Sequence, residues 1–226
     1  MFPISDSTPR RSVPFVNYFI IFINIVVFII QILSPSFDEF IYRWGFVPAR
    51  FFPFEKEFYK HIFFSMWLHG GLFHLLSNMW FLHLFGDNVE DRFGHLNYLL
   101  FYIASGFAGG FLYYIVEFNR PNSLLPAIGA SGAISGVAGA YFILFKRSTI
   151  RTWVPFQIIN LPSFIFLGYW FAIQLVKGFS YLGGLEMRGD KVAWFAHIGG
   201  FLWGVFVANF VFKPRLPDLP FEKKDS

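Results

Sequence analysis

The stretch AIGASGAISGVAGAYFILF, residues 127–145, is apolar enough to sit in a bilayer, yet its first half is almost without bulk. Four glycines and five alanines crowd it, and two serines, Ser131 and Ser135, stand among them. Gly132 and Gly136 are four residues apart, as are Gly200 and Gly204 in a second apolar run. Small residues at this spacing let helix backbones approach closely in a membrane. The pattern predicts that the two runs touch. That contact would bring Ser131 within hydrogen-bond reach of His197, about 3 Å.

The rest of the chain agrees with a membrane setting. Of 226 residues, 55% are hydrophobic, 35 are Phe, and only 14% are charged. Soluble domains carry about a quarter charged residues, and a soluble core of this size could not hide so much apolar surface. The absence of cysteine removes disulfides, thiolate nucleophiles and Cys-based metal or redox sites. A net charge of +4 in small scattered groups argues against a nucleic-acid face.

A helical span needs about 20 mostly apolar residues. Six stretches qualify: 15–34, 70–86, 96–116, 129–146, 153–178 and 192–212. The expected fold is an all-α membrane protein, a bundle of six transmembrane helices. The first run is too long for a signal-peptide core and reads as a retained span. Residues 1–14 read as a short cytoplasmic segment, 15–212 as one six-span domain, and the polar, Pro-rich 213–226 as a disordered tail. Lys and Arg are slightly more numerous on the side of the two termini, which places both in the cytoplasm. The connector 35–69 is long and dense in aromatic residues, so it reads as a structured element at the membrane interface.

Polar groups inside membrane spans are costly and point to function. No Asp or Glu lies within a span; Asp87, Glu90, Asp91 and Glu117 sit at ends. Proton-coupled transport and aspartyl proteolysis, which need buried carboxylates, are disfavoured. What remains inside is His74, Asn78, His83, Ser131, Ser135 and His197. His74 and Asn78 share a helical face. A serine hydroxyl is a weak nucleophile until a base takes its proton, and His197 can be that base. Asn78, His74 and the backbone N–H of Ser131 can donate to a developing oxyanion. Each residue alone has a plainer explanation, as a packing serine, a buried polar contact or an interhelical clamp. Their joint occurrence favours chemistry. With no HExxH, no Cys and no nearby carboxylate, the set is a poor metal site.

Three motifs in order resemble the rhomboid family of intramembrane serine proteases. HGGLFHLLSNMWFLHLFGDNVEDRFG (69–94) holds His74 and Asn78 in an HxxxN spacing, GASG (129–132) is similar to the nucleophile motif, and AHIGGFLWG (196–204) to the base motif. The resemblance spans roughly 15–212. It implies a six-helix bundle with a long, partly membrane-embedded first loop, a Ser131–His197 dyad without a third acid, and an oxyanion site from His74, Asn78 and the Ser131 N–H. It implies a structural role for Glu90, Arg92 and Gly94. It also implies single-span membrane-protein substrates cut near the outer membrane face.

Two positions depart from some relatives. Ser135 stands where they carry a Tyr that packs on the catalytic His, and Lys60-His61 stands where they carry Trp-Arg. The ring of His197 must therefore be held otherwise, for instance by an aromatic of a neighbouring span. The fifth span, with Pro155, Pro162 and its aromatics, is a candidate lateral gate.

The function expected from this reading is an intramembrane serine endopeptidase with no cofactor and no metal. Its partners are transmembrane substrates and the lipid bilayer. The alternative is a non-proteolytic rhomboid-like protein that binds client transmembrane helices. The expected home is a bacterial plasma membrane.

Overall fold

Eight helices and one small sheet make up the computed structural model, which describes residues 1–53, 55–184 and 192–212. The expected tail 213–226 lies outside the described residues. Helix α1 (Phe15–Leu33) is followed by two short helices of the first loop, α2 (Phe37–Trp44) and α3 (Lys56–Ser65). Then come α4 (Leu72–Phe93), α5 (His95–Glu117), α6 (Ser131–Leu144), α7 (Ser163–Leu182) and α8 (Trp194–Phe210). Helices α1, α5 and α7 are long and apolar enough to cross a membrane; α6 and α8 are apolar but shorter.

Helix α1 starts where its first free N–H groups meet a carboxylate. Buried Glu90 of α4 accepts from the N–H groups of Val16 (3.1 Å) and Asn17 (2.7 Å), and it also pairs with His95. A negative group at a helix N-terminus satisfies orphan donors and complements the dipole. Gly94, at φ +78°, makes the turn from α4 into α5, a conformation that costs other residues. The structural role expected for Glu90 and Gly94 is thus accounted for.

One face of α1 carries buried Asn17, Asn24 and Gln31, spaced seven apart. Asn17 donates to the carbonyl of Leu82 and accepts from Tyr98 Oη. Gln31 makes a two-way amide bond with the backbone of His69. A seven-residue repeat keeps nearly to one helical face; Asn24 donates to the Ile20 carbonyl of its own helix, while Asn17 and Gln31 fasten α1 to the bundle near its two ends.

The glycine spacing has the predicted consequence. A Cβ on Gly200 would strike the carbonyl oxygen of Gly132, and one on Gly204 that of Gly136. Helices α6 and α8 therefore meet backbone to backbone. Gly109 of α5 joins the same close packing, its Cα lying against Gly132 and Gly199.

The first loop is structured, as its aromatics predicted. Phe46 meets Phe58 edge to face at 5.3 Å, and both pack with Tyr114 of α5. Lys60 pairs with Glu57, while His61 stacks on Phe51 at 4.3 Å. Phe46 and Ala127 form an antiparallel bridge, which ties this loop to the segment just before Ser131.

One expectation changes at the opposite end of the bundle. The stretch 153–178 is not helical from its start. Residues β2 (Thr149–Val154) and β3 (Gln157–Pro162) form an antiparallel hairpin, and α7 begins only at Ser163. Alternating Thr149, Ile150, Thr152 and Val154 favour strand, while Pro155 and Pro162 deny a helix its N–H groups. The turn places Phe156 at φ +70°.

Residues 1–14, expected as a short segment, contribute a strand to the same sheet. Residues β1 (Phe2–Asp6) pair with β2, giving a three-stranded sheet in the order β1–β2–β3. Asp6 accepts from Asn88 of α4 and Tyr141 of α6, and Trp80 of α4 donates its Nε1–H to the Pro3 carbonyl.

Candidate active site

Ser131 is the first residue of α6, and Gly129 just before it has φ +120°. That left-handed turn suits glycine, and a Cβ there would lie 2.9 Å from His74 Nε2. Gly129 is also anchored, its N–H donating to the Ser65 carbonyl at 2.9 Å. The first N–H groups of a helix have no intrahelical partner, so the Ser131 N–H remains available to an incoming oxygen.

His197 lies in the first turn of α8, and its Nε2 is 2.8 Å from Ser131 Oγ. The glycine contact described above brings these two helix starts together. His197 Nδ1 is 2.8 Å from Gln174 Oε1 on α7. An amide oxygen can only accept, so Nδ1 carries the hydrogen. Nε2 is then the acceptor, and Ser131 Oγ–H donates to it.

His74 and Asn78 stand one turn apart on α4 and line the same cavity as Ser131 and His197. The Gly70 N–H donates to His74 Nδ1 at 3.2 Å, leaving His74 Nε2 as an N–H donor. Asn78 is buried, and its Nδ2 has no hydrogen-bond partner among the described residues. A buried unpaired donor is uncommon and costly; Asn78 is among the residues lining a cavity of about 750 Å³. That cavity also meets Asp38, Ile41 and Tyr42 of the first loop and Trp170 of α7.

Ser135 is a structural residue in this geometry. Its hydroxyl donates to the Ser131 carbonyl one turn earlier, at 2.6 Å. His83, His95 and His61 each pack against aromatic rings and do not line the cavity. Aromatic rings do flank His197, with Trp170 at 6.1 Å and Trp194 at 6.2 Å between centroids.

The group bonded to His197 Nδ1 is the amide of Gln174, which the sequence reading missed. Its signal was a lone glutamine inside the apolar run FIFLGYWFAIQLV, 164–176. The aromatics proposed for a gate divide: Phe164 and Tyr169 face outward, while Phe171 stacks on Phe201 at 4.1 Å.

Comparison with known proteins accords with this arrangement. The family profile described as Rhomboid domain matches residues 55–214. RHOMBOID-like protein 1 of Arabidopsis thaliana is 36% identical over 154 residues, covering 68% of this chain and 34% of that protein. Rhomboid protein 1, mitochondrial, of Saccharomyces cerevisiae is 29% identical over 150 residues, covering 66% of this chain and 41% of its own length. Rhomboid protease GluP of Bacillus subtilis is 34% identical over 120 residues, covering 52% of this chain and 22% of that protein.

The chain thus spans well under half the length of these relatives. Coming from a plant, a yeast mitochondrion and a bacterium, they give no support to a bacterial plasma membrane over another membrane. The matched profile takes in α3 through α8 and, with them, His74, Asn78, Ser131, Gln174 and His197. This chain belongs to the rhomboid family and is an integral membrane protein.

Proposed function

We propose that the protein is an intramembrane serine endopeptidase acting on transmembrane proteins through Ser131 and His197. The observation that carries this reading is the Ser131 Oγ to His197 Nε2 bond of 2.8 Å beside a buried, unpartnered Asn78 Nδ2. A donor without a partner next to a nucleophile–base pair is what an oxyanion site needs.

In this reading Ser131 Oγ attacks the carbonyl carbon of a substrate peptide, and its proton passes to His197 Nε2. The oxyanion is held by Asn78 Nδ2–H, His74 Nε2–H and the Ser131 N–H. When the C–N bond breaks, the leaving amine takes the proton from Nε2. Water then attacks the acyl-enzyme, giving a proton to Nε2, and as the ester C–O bond breaks that proton passes to Ser131 Oγ, freeing the acid product and restoring the dyad. The cavity that reaches the first loop is the route for that water. The full bundle is read as six spans, α1, α4, α5, α6, α7 and α8, with both termini on the cytoplasmic side and residues 15–212 as the protease domain.

The test is cleavage of a single-span model substrate in proteoliposomes by wild type, Ser131→Ala and His197→Ala. Wild type is expected to cleave and both variants to lose cleavage. Equal cleavage by all three would sink the dyad. Client binding by a wild type that cleaves none of a broad panel would favour a non-proteolytic rhomboid-like protein.

A further inference from the structure

We propose that Gln174 is a positioning residue for His197: it sets the tautomer and ring plane of the base from α7. The assignment rests on the dyad reading above and adds to it a neutral member from a separate helix.

Two bonds in series define it. Gln174 Nε2–H donates to the Trp170 carbonyl at 3.2 Å, one turn earlier on α7. This fixes which end of the amide faces His197, because the flipped amide would set two carbonyl oxygens against each other. Oε1 is thereby the atom presented to His197 Nδ1 at 2.8 Å. Gln174 is the hydrogen-bond partner of Nδ1 among the described residues. Without it, an imidazole in a low-dielectric bundle could place its hydrogen on Nε2, where it could not accept from Ser131. A buried N–H without a partner also costs free energy.

Gln174 is only 5% exposed and does not line the cavity, so it acts through His197 and does not touch substrate. Its role is the one that a ring stacked on the base would otherwise fill; Ser135 cannot fill it, being bonded to the Ser131 carbonyl. Among the described residues, the titratable and charged groups that share the cavity with His197 or lie near it are His74 from α4, Tyr113 and Glu117 of α5, Tyr181 and Lys177 of α7, the latter over the Trp194 ring, and Asp38 and Tyr42 of the first loop. Lys177 and Glu117 have interactions of their own.

The experiment uses the full chain in proteoliposomes with a single-span substrate. Wild type, Ser131→Ala, Gln174→Leu and Gln174→Glu are compared by thermal melting, by labelling with a fluorophosphonate, and by kcat and KM across pH. Gln174→Leu is expected to melt near wild type and to keep KM, while kcat falls at least about 10- to 100-fold, the scale seen when the outer hydrogen-bond partner of a metal-bound histidine is lost. Gln174→Glu restores an acceptor at Nδ1. It is expected to recover part of kcat and to move the acid limb of the pH profile upward, because a carboxylate stabilises the imidazolium.

Wild-type kcat in Gln174→Leu, or an unmoved acid limb in Gln174→Glu, would overturn the assignment while leaving the dyad standing. Should Gln174→Leu not fold, the acid limb of Gln174→Glu decides. A wild type that neither cleaves nor is labelled at Ser131 would overturn both the dyad reading and this one.

Discussion

Asn78 holds a buried amide donor with no partner among the described residues, and the consequence can be measured. Removing one partner of a satisfied hydrogen bond strands the other and costs stability; removing a donor that has no partner strands nothing. Asn78→Ala is therefore expected to leave the melting temperature unchanged or slightly raised. The same change removes one of the three donors assigned to the oxyanion, for which losses of about 10²- to 10³-fold in kcat are typical. A kcat defect at intact stability is the signature to look for. A variant that loses stability and keeps kcat would make Asn78 a structural clamp.

Ser135 offers the complementary case. Its hydroxyl is bonded to a backbone carbonyl of its own helix, an interaction that contributes little in a helix interior. Ser135→Ala is expected to cleave at close to the wild-type rate, and a serine reagent should mark Ser131 alone, as peptide mapping would show.

Among the elements, α6 and α8 depend on the absence of side chains. Gly204 faces the Gly136 carbonyl so closely that any Cβ must push the helices apart. Gly204→Val should destabilise the protein by about 1–3 kcal/mol, the usual cost of overpacking, and cleavage should fall with it because Ser131 and His197 stand on the separated helices. Helix α1 depends on a charge in the same way. Glu90→Ala strands the N–H groups of Val16 and Asn17 and should cost about 1–3 kcal/mol. The melt should shift while kcat of the folded fraction holds.

These elements also show what the sequence could and could not reveal. The glycine pairs were legible because close approach leaves a fixed spacing in the chain, and the His74–Asn78 pair because a helix face has a period. The hairpin 149–162 was not, since apolar residues with scattered prolines fit an interrupted span as well as strands. Strand β1 was hidden because its partner lies over 140 residues away, at Ile150–Trp153. Gln174 was hidden because a single amide carries no spacing at all; only the position of α7 against α8 makes it a partner of His197.

At the scale of the whole molecule, elements distant in sequence are drawn to both ends of the bundle. The first loop is bridged to the segment before Ser131 at Phe46 and Ala127, and β1 is pinned to α4 and α6 at the other end. Six spans would bring both ends of the chain to one side. Epitope tags at residues 1 and 226 should then show the same protease accessibility in sealed vesicles; opposite accessibility would require an odd number of crossings.

The placement of Gln174 on α7 has a consequence for timing. Helix α1 is fastened to the bundle at two levels by the amides of Asn17 and Gln31, so it resists sideways movement. Helix α7 bears a broad apolar outer wall of Phe164, Ile165, Tyr169, Val176 and Phe179. A bond of 2.8 Å is lost once its partners separate by about another 1 Å. If Gln174 aims His197 as proposed, an outward swing of α7 of that size disengages it. Opening the wall and readiness to cut then exclude each other in time. Spin labels at Phe179 and Phe206, on the outer faces of α7 and α8, would follow this: as their separation lengthens, turnover should stop, and it should resume when α7 returns.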